Sequence, residues 1–195
     1  MPATAAPYGL EPVQVTGSGY FNGATRQIPM TANTATGIFL GDMVNIQAGA
    51  PIAVAATPTT TANGYTPVGV FAGCEYTDPN TKTKQYSNYL PANAITNGYT
   101  DVYIYVWDDP KMLFKIQSSG NTTRANVGFN AQLANFGAGS TATGKSKVHL
   151  LHSSIALTAT FAVRIVDVID PGTGYTDCIV KFVPGVHAYE NATGQ

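Results

Sequence analysis

Hydrophobic side chains recur with a period of two along Gly98–Gln117, GYTDVYIYVWDDPKMLFKIQ. Val102, Ile104 and Val106 share one parity, and Tyr103, Tyr105 and Trp107 share the other. Asp108-Asp109-Pro110 interrupts the run, and Met112, Leu113, Phe114 and Ile116 resume it. Aliphatic, β-branched and aromatic residues in this order, broken by a Pro-bearing turn, predict two consecutive strands. Large side chains on both parities of the first strand predict that it is covered on both faces, like a central strand of a sandwich or barrel.

Similar patterns recur elsewhere in the chain. Thr36–Gln47, TGIFLGDMVNIQ, reads as two short strands divided at Gly41-Asp42. Ala48–Tyr65 is a small-residue loop holding one edge-strand candidate, Ile52–Val54, and the hairpin dipeptide Asn63-Gly64. Pro67–Tyr76, PVGVFAGCEY, is a strand whose Gly69 and Gly73 predict bulging or close backbone approach. Lys84–Leu90 is a further strand, and Asn97-Gly98 turns into the central pair. In Phe161–Ile169, strict alternation puts Phe161, Val163, Ile165, Asp167 and Ile169 on one side, opposite Ala162, Arg164, Val166 and Val168. Asp170-Pro171-Gly172 follows, and Cys178–Val183 is the last strand. Val148, Leu151 and Ile155 come nearest to a helical stripe, but Ser153-Ser154 interrupts it. Short strands separated by turn residues predict an all-β chain, an antiparallel β-sandwich or barrel with long loops.

Length and proline placement divide the chain into an extended N-terminal arm at 1–16, one β domain at 17–185 and a tail at 186–195. The arm carries Pro2, Pro7 and Pro12, and is expected to strap a neighbouring subunit. Tyr8, Leu10, Tyr20 and Phe21, apolar residues in otherwise flexible N-terminal sequence, are the candidate interface residues.

Composition narrows the classes of function. Charged residues make up 11% of the chain, and 10 basic against 11 acidic residues leave a formal net charge of −1. Polarity comes instead from Thr, Asn, Ser, Gln and Tyr, which hydrogen-bond to a partner at little cost in charge desolvation. Without a basic run, a phosphate-tracking nucleic-acid surface is not expected. No apolar stretch approaches the ~20 residues of a membrane span, and no secretory signal is visible. Cys74 and Cys178 sit in apolar strand sequence and read as buried, reduced core residues. Two glycosylation sequons, at Asn121 and Asn191, are read as coincidental in the absence of a signal.

Several motifs invite chemistry. Gly139–Ser146, GSTATGKS, matches the phosphate-cradling G-x-x-x-x-G-K-[ST] pattern, with Lys145 and Ser146 in the reactive positions. It lacks the preceding buried strand and following helix that such a loop needs. Asp108 and Asp109 are adjacent in extended sequence, so their carboxylates diverge, and Asp before Pro is ordinary turn chemistry. Asp167, Asp170 and Asp177 surround a loop without calcium-loop spacing. His149 and His152 lack a third zinc ligand nearby, and His187 is remote in sequence. Trp107 and the tyrosines read first as core and interface residues, with a sugar-binding platform as the rival. No catalytic, cofactor or metal residue is nominated.

The order of motifs carries more than any one of them. Tyr8–Val13 (YGLEPV), Thr36–Val44 (TGIFLGDMV), Pro67–Tyr76, Tyr86–Asn93 (YSNYLPAN), Asp101–Phe114, Thr143–Ser146 (TGKS) and Phe161–Val168 follow one another across most of the chain. In that order they resemble the small virion structural proteins of tailed bacteriophages, especially those of aquatic and cyanobacterial hosts. The resemblance implies a non-enzymatic capsid cement or decoration protein, made in the bacterial cytoplasm and bound to the outside of the head. It implies the major capsid protein and copies of this chain as partners, in a homotrimer first and a dimer next. It also implies that the TGKS segment is a loop feeding a strand. The alternatives are a receptor- or carbohydrate-binding module of a head or tail fibre and, more remotely, a P-loop nucleotide binder.

Overall fold

The computed structural model describes residues 4–17, 20–31, 33–47, 50–53, 66–169 and 174–190. Its strands in chain order begin with β1 (Glu11–Val15), β2 (Arg26–Pro29), β3 (Ile38–Phe39), β4 (Met43–Gln47), β5 (Ala50–Ala53), β6 (Thr66–Thr77) and β7 (Lys84–Ser87). They continue with β8 (Tyr89–Leu90), β9 (Thr100–Trp107), β10 (Met112–Gln117), β11 (Asn130–Ala131), β12 (Leu133–Ala134), β13 (His149–Leu150), β14 (Val163–Val168) and β15 (Asp177–Phe182). The only helical pieces among the described residues are two single 3₁₀ turns, at Arg124–Asn126 and His152–Ser154. The fold is all-β, as the alternation predicts, and every ladder between these strands is antiparallel.

Two sheets dominate. One has five strands in the order β1-β10-β15-β14-β11. The other has the order β2-β9-β6-β4-β5, with β7 beside the far end of β6. Thus β9 and β10, consecutive in sequence, belong to different sheets. The Asp108–Lys111 turn hands the chain across, fixed by Asp109 Oδ1 accepting from the Lys111 amide at 2.8 Å. The edge strand expected at Ile52–Val54 is the end of β5, its described part stopping at Ala53. The Asn63-Gly64 and Asp170-Pro171-Gly172 turns lie outside the described residues.

The six-stranded sheet has two differently covered faces. Met43 and Val70 point into one core, shared with Phe114, Ile116, Ile165, Val180 and Phe182 of the five-stranded sheet. Val44, Phe71, Cys74, Ile104 and Val106 point the other way, into a second core closed by Ile38, Leu90 and Ala94. Each fully buried Val, Leu, Ile or Phe side chain contributes about 1.5–3 kcal/mol. β9 shows the consequence. Val102, Ile104 and Val106 are buried, while Tyr103, Tyr105 and Trp107 are only half-buried, so the expected cover on both faces is complete on one alone. β10 is the strand buried on both sides, at Met112, Leu113, Phe114 and Ile116.

Glycines and bulges set the registers. A Cβ at Gly69 would lie 2.2 Å from the Trp107 carbonyl oxygen, so only glycine lets the end of β9 press against β6. β6 also shifts register between Phe71 and Gly73, where Gly73 has φ +137°. β14 departs from the predicted alternation for the same kind of reason. A shift between Ile165 and Asp167 inserts one residue, so Val168 turns inward and Asp167 and Ile169 face solvent. The stretch with the partial helical stripe forms β13 and a 3₁₀ turn. There the Ser154 hydroxyl donates to the Leu151 carbonyl at 2.6 Å and accepts from the Gln132 amide at 2.8 Å, bonds that compete with a helix.

Candidate functional site

Five of the ordered sequence motifs converge on one buried carboxylate, Asp42. It stands in the turn between β3 and β4, and none of it is exposed. The Phe39 amide donates to its Oδ2 at 2.9 Å, and the Ser146 hydroxyl donates to its Oδ1 at 2.5 Å. Ser146 Oγ in turn accepts from the Val148 amide at 2.9 Å. Backbone bonds bring in the rest. The Leu10 amide donates to the Gly41 carbonyl, the Gly9 amide to Val148, the Gly41 amide to Phe71, and the Leu40 amide to both Asn88 and Gly144. Gly9 has φ +82°, and a Cβ there would lie 2.9 Å from both the Gly41 carbonyl and the Ser146 Cβ. Segments starting at Tyr8, Thr36, Pro67, Tyr86 and Thr143 therefore meet at one point.

The partners of Asp42 among the described residues are neutral donors. Burial pushes its carboxyl up to about 6, and the bonds from Ser146 and Phe39 pull it back only in part. A buried acid committed to two donors of its own chain is a structural tie. It has the chemistry to hold loops together.

The same tie accounts for the GSTATGKS segment. Its ends pair as a short hairpin, the Ser140 amide donating to the Lys145 carbonyl and the Gly144 amide to the Ser140 carbonyl. A Cβ at Gly139 would strike the Phe39 ring, and Gly144 lies against Asn88. Lys145 Nζ pairs with Glu11 at 3.0 Å, and Ser146 is held by Asp42. Four amides of the segment donate within the chain: Ser140 to the Lys145 carbonyl, Gly144 to the Ser140 carbonyl, Lys145 to the Thr143 hydroxyl and Ser146 to the Leu40 carbonyl.

The N-terminal candidates separate. Leu10 is 1% exposed and belongs to the first core. Tyr8 is half-buried; its hydroxyl donates to Asp177 at 2.9 Å, and the Lys115 ammonium stands 5.2 Å from its ring. Phe21 packs edge-on against Trp107, with ring centroids 6.2 Å apart. Tyr20, at 94% exposed, alone reaches fully into solvent. The stretch expected as a strap over a neighbour lies, from residue 4 to 16, along its own domain. β1 pairs with β10, and the Gln117 amide clips the chain by donating to the Thr4 carbonyl and accepting from the Ala6 amide. The described part of the tail, residues 186–190, behaves likewise: Val186 and His187 are buried, and the Ala188 amide donates to the Pro67 carbonyl. The physical reason is the same at both ends, since Leu10 and Val186 are apolar side chains with a core to enter.

The other groups are also engaged structurally. Asp108 pairs with Arg26 at 3.5 Å and accepts from the Tyr189 hydroxyl at 2.8 Å. Asp167 meets Arg124, and Asp177 meets Lys115, so the two carboxylates serve different partners; Asp170 lies outside the described residues. His152 faces Thr122 and His149 faces Asn135, while His187 packs between Phe182 and Tyr189. Among the described residues no three His, Cys, Asp or Glu side chains gather as a metal site. Cys74 and Cys178 are free and buried in separate cores, and burial pushes their thiols up to about 12 and about 11. No described helix is long and apolar enough to cross a membrane.

One polar centre was missed by sequence reading. Glu75 of β6 is 3% exposed, covered by its own surface neighbours rather than sunk in a core. Lys84 Nζ meets its Oε1 at 2.8 Å, Gln27 donates to Oε1 at 2.9 Å, and the Tyr105 hydroxyl donates to Oε2 at 2.8 Å. Lys84 first, then Tyr105, hold the Glu75 carboxyl below its ordinary range. Gln27, Glu75, Lys84 and Tyr105 come from four strands, and no local spacing announces them. No protein-family model, curated protein or solved structure matches the chain.

Proposed function

We propose that this chain is a non-enzymatic structural protein of a tailed-phage virion, a cement or decoration protein on the outer surface of the major capsid shell. The observation that carries the reading is the role of the resembling motifs. Five of them form the Asp42 junction, which supports reading the resembling motifs as the framework of a fold. A chain with 11% charged residues, rich in hydroxyl and amide groups, suits broad contact with other protein at little desolvation cost. Many modest contacts repeated over a symmetric shell add through multivalency. A closed trimer at three-fold positions is the favoured assembly, with a dimer next.

Quantitative mass spectrometry of gradient-purified particles from the source tests the proposal. The expected result is a copy number of roughly one per shell subunit. A few copies per particle would move the chain to a fibre or tail, and absence from particles would end the virion reading.

A further inference from the structure

The face of the six-stranded sheet around Glu75 opens into a cleft of about 290 Å³, close to the ~300 Å³ lower end of small-ligand pockets. Tyr86 and Tyr105 wall it, Gly73 floors it, and Ser87 and Asn88 supply polar atoms at its rim. The registers explain why these residues meet. Tyr86 and Tyr103 stand opposite Glu75 on the two neighbouring strands, and Tyr105 stands opposite Gly73. At Gly73 the bulge removes a side chain where a neighbouring strand carries a tyrosine. Gly73 has φ +137°, and a Cβ added there would lie 3.3 Å from the Ser87 carbonyl oxygen, so any other residue is strained and narrows the cleft.

From this geometry we infer that the cleft binds a neutral sugar ring of an oligosaccharide. Tyr86 is 70% exposed, so its ring face contributes little to the fold. Its orientation is nonetheless prepared, because the Lys84 ammonium sits 5.9 Å from the ring centroid while bonded to Glu75. Tyr105 is fixed through its hydroxyl by the same carboxylate. Charge selects against ionic ligands. Glu75 is the acid beside the cleft, and Lys84 neutralises it while Gln27 and Tyr105 donate to its two oxygens. What is left is two aromatic walls with neutral hydroxyl and amide groups at the edge. A pyranose has the complementary character, an apolar C–H face for the rings and hydroxyls for the rim. The inference is independent of the virion reading, since a sheet face of this kind serves a capsid-bound or a free protein alike.

The test is isothermal titration of the full chain with a panel of neutral malto-, cello-, galacto- and manno-oligosaccharides up to roughly 10 mM. At least one is expected to bind with a Kd of roughly millimolar or tighter. Tyr86→Ala should weaken that binding about tenfold, and Tyr86→Phe should keep most of it because the ring remains. Leu157→Ala, at an exposed position away from the cleft, should leave it unchanged. Thermal melting checks that each variant stays folded. No heat with any member of the panel would overturn the inference, as would binding indifferent to Tyr86→Ala. Loss of Tyr86→Ala from particles, in a protein that binds no sugar, would make the cleft a protein-docking surface and overturn it too.

Discussion

Met43, Val70 and Trp107 lie on the same face of the six-stranded sheet as Gly73, Glu75 and Tyr105, yet the two ends of that face have opposite fates. At the first end the five-stranded sheet closes over the side chains, and Met43 and Val70 have no exposed surface. At the second end the cover stops. The face continues as tyrosines around a neutralised carboxylate, with Tyr86 largely in solvent. The bulge between Phe71 and Gly73 resets the alternation so that Val70 and Glu75 share the face, and both ends place a glycine in β6. Gly69 at the closed end admits the neighbouring backbone, while Gly73 at the open end leaves a cleft. Strand periodicity chooses which residues share a face, and the neighbouring sheet chooses whether that face becomes core or surface.

The largest effect should come from taking away a piece of the closed end. Deleting residues 1–16 removes β1 and the buried Leu10, and is expected to cost more than about 4 kcal/mol, read as a collapse of the melting temperature. A truncated chain that melts like the full one would mean that this segment is a detachable arm after all. Next in size is the contrast between the two glycines. Gly69→Ala must displace the Trp107 backbone and should cost about 3 kcal/mol, whereas Gly73→Ala meets only backbone strain and should cost about 1–2 kcal/mol. Equal losses in denaturant titrations would erase the distinction between the two ends.

Asp42 beside the closed end gives a pH signature. Its carboxyl is raised from 3.8 to about 6 in the folded chain, so between those values the unfolded state ionises first. This group's contribution is therefore complete below about pH 4 and lost as pH rises through about 6, a change on the order of 2–3 kcal/mol. Asp42→Asn should flatten that part of the stability-versus-pH curve, and an unchanged slope would show that Asp42 does not titrate there. The smallest effect belongs to the open end. Tyr86→Ala should change stability by no more than about 0.5 kcal/mol, because its ring covers little of the core. A larger loss would reveal Tyr86 as structural.

Much of the architecture was legible along the chain. Alternation in β9, β14 and β15 marked true strands, and Gly69 and Gly73 announced the close approach and the bulge. The reversed side chains after Ile165 were not legible, because a single inserted residue leaves composition unchanged while swapping the faces. The prolines of the N-terminal segment predict an extended arm, and Tyr8 and Leu10, as apolar groups to bury, predict a strap over a neighbour. The structure gives Leu10 a core position and Gly9 a contact with Ser146, both set by residues far along the chain. The Asp42 tie was hidden in the same way, since its two halves are 104 positions apart.

The sequence by itself determined the all-β class, most strand positions and the turn at Asp108–Pro110, because these follow from local propensity and a period of two. Only the tertiary structure decided that β9 and β10 part into different sheets, that the Asp42 turn gathers four distant segments, and that the Glu75 face stays open. Those features depend on which elements pack against which, and packing partners are set by contacts between distant residues that no local pattern encodes.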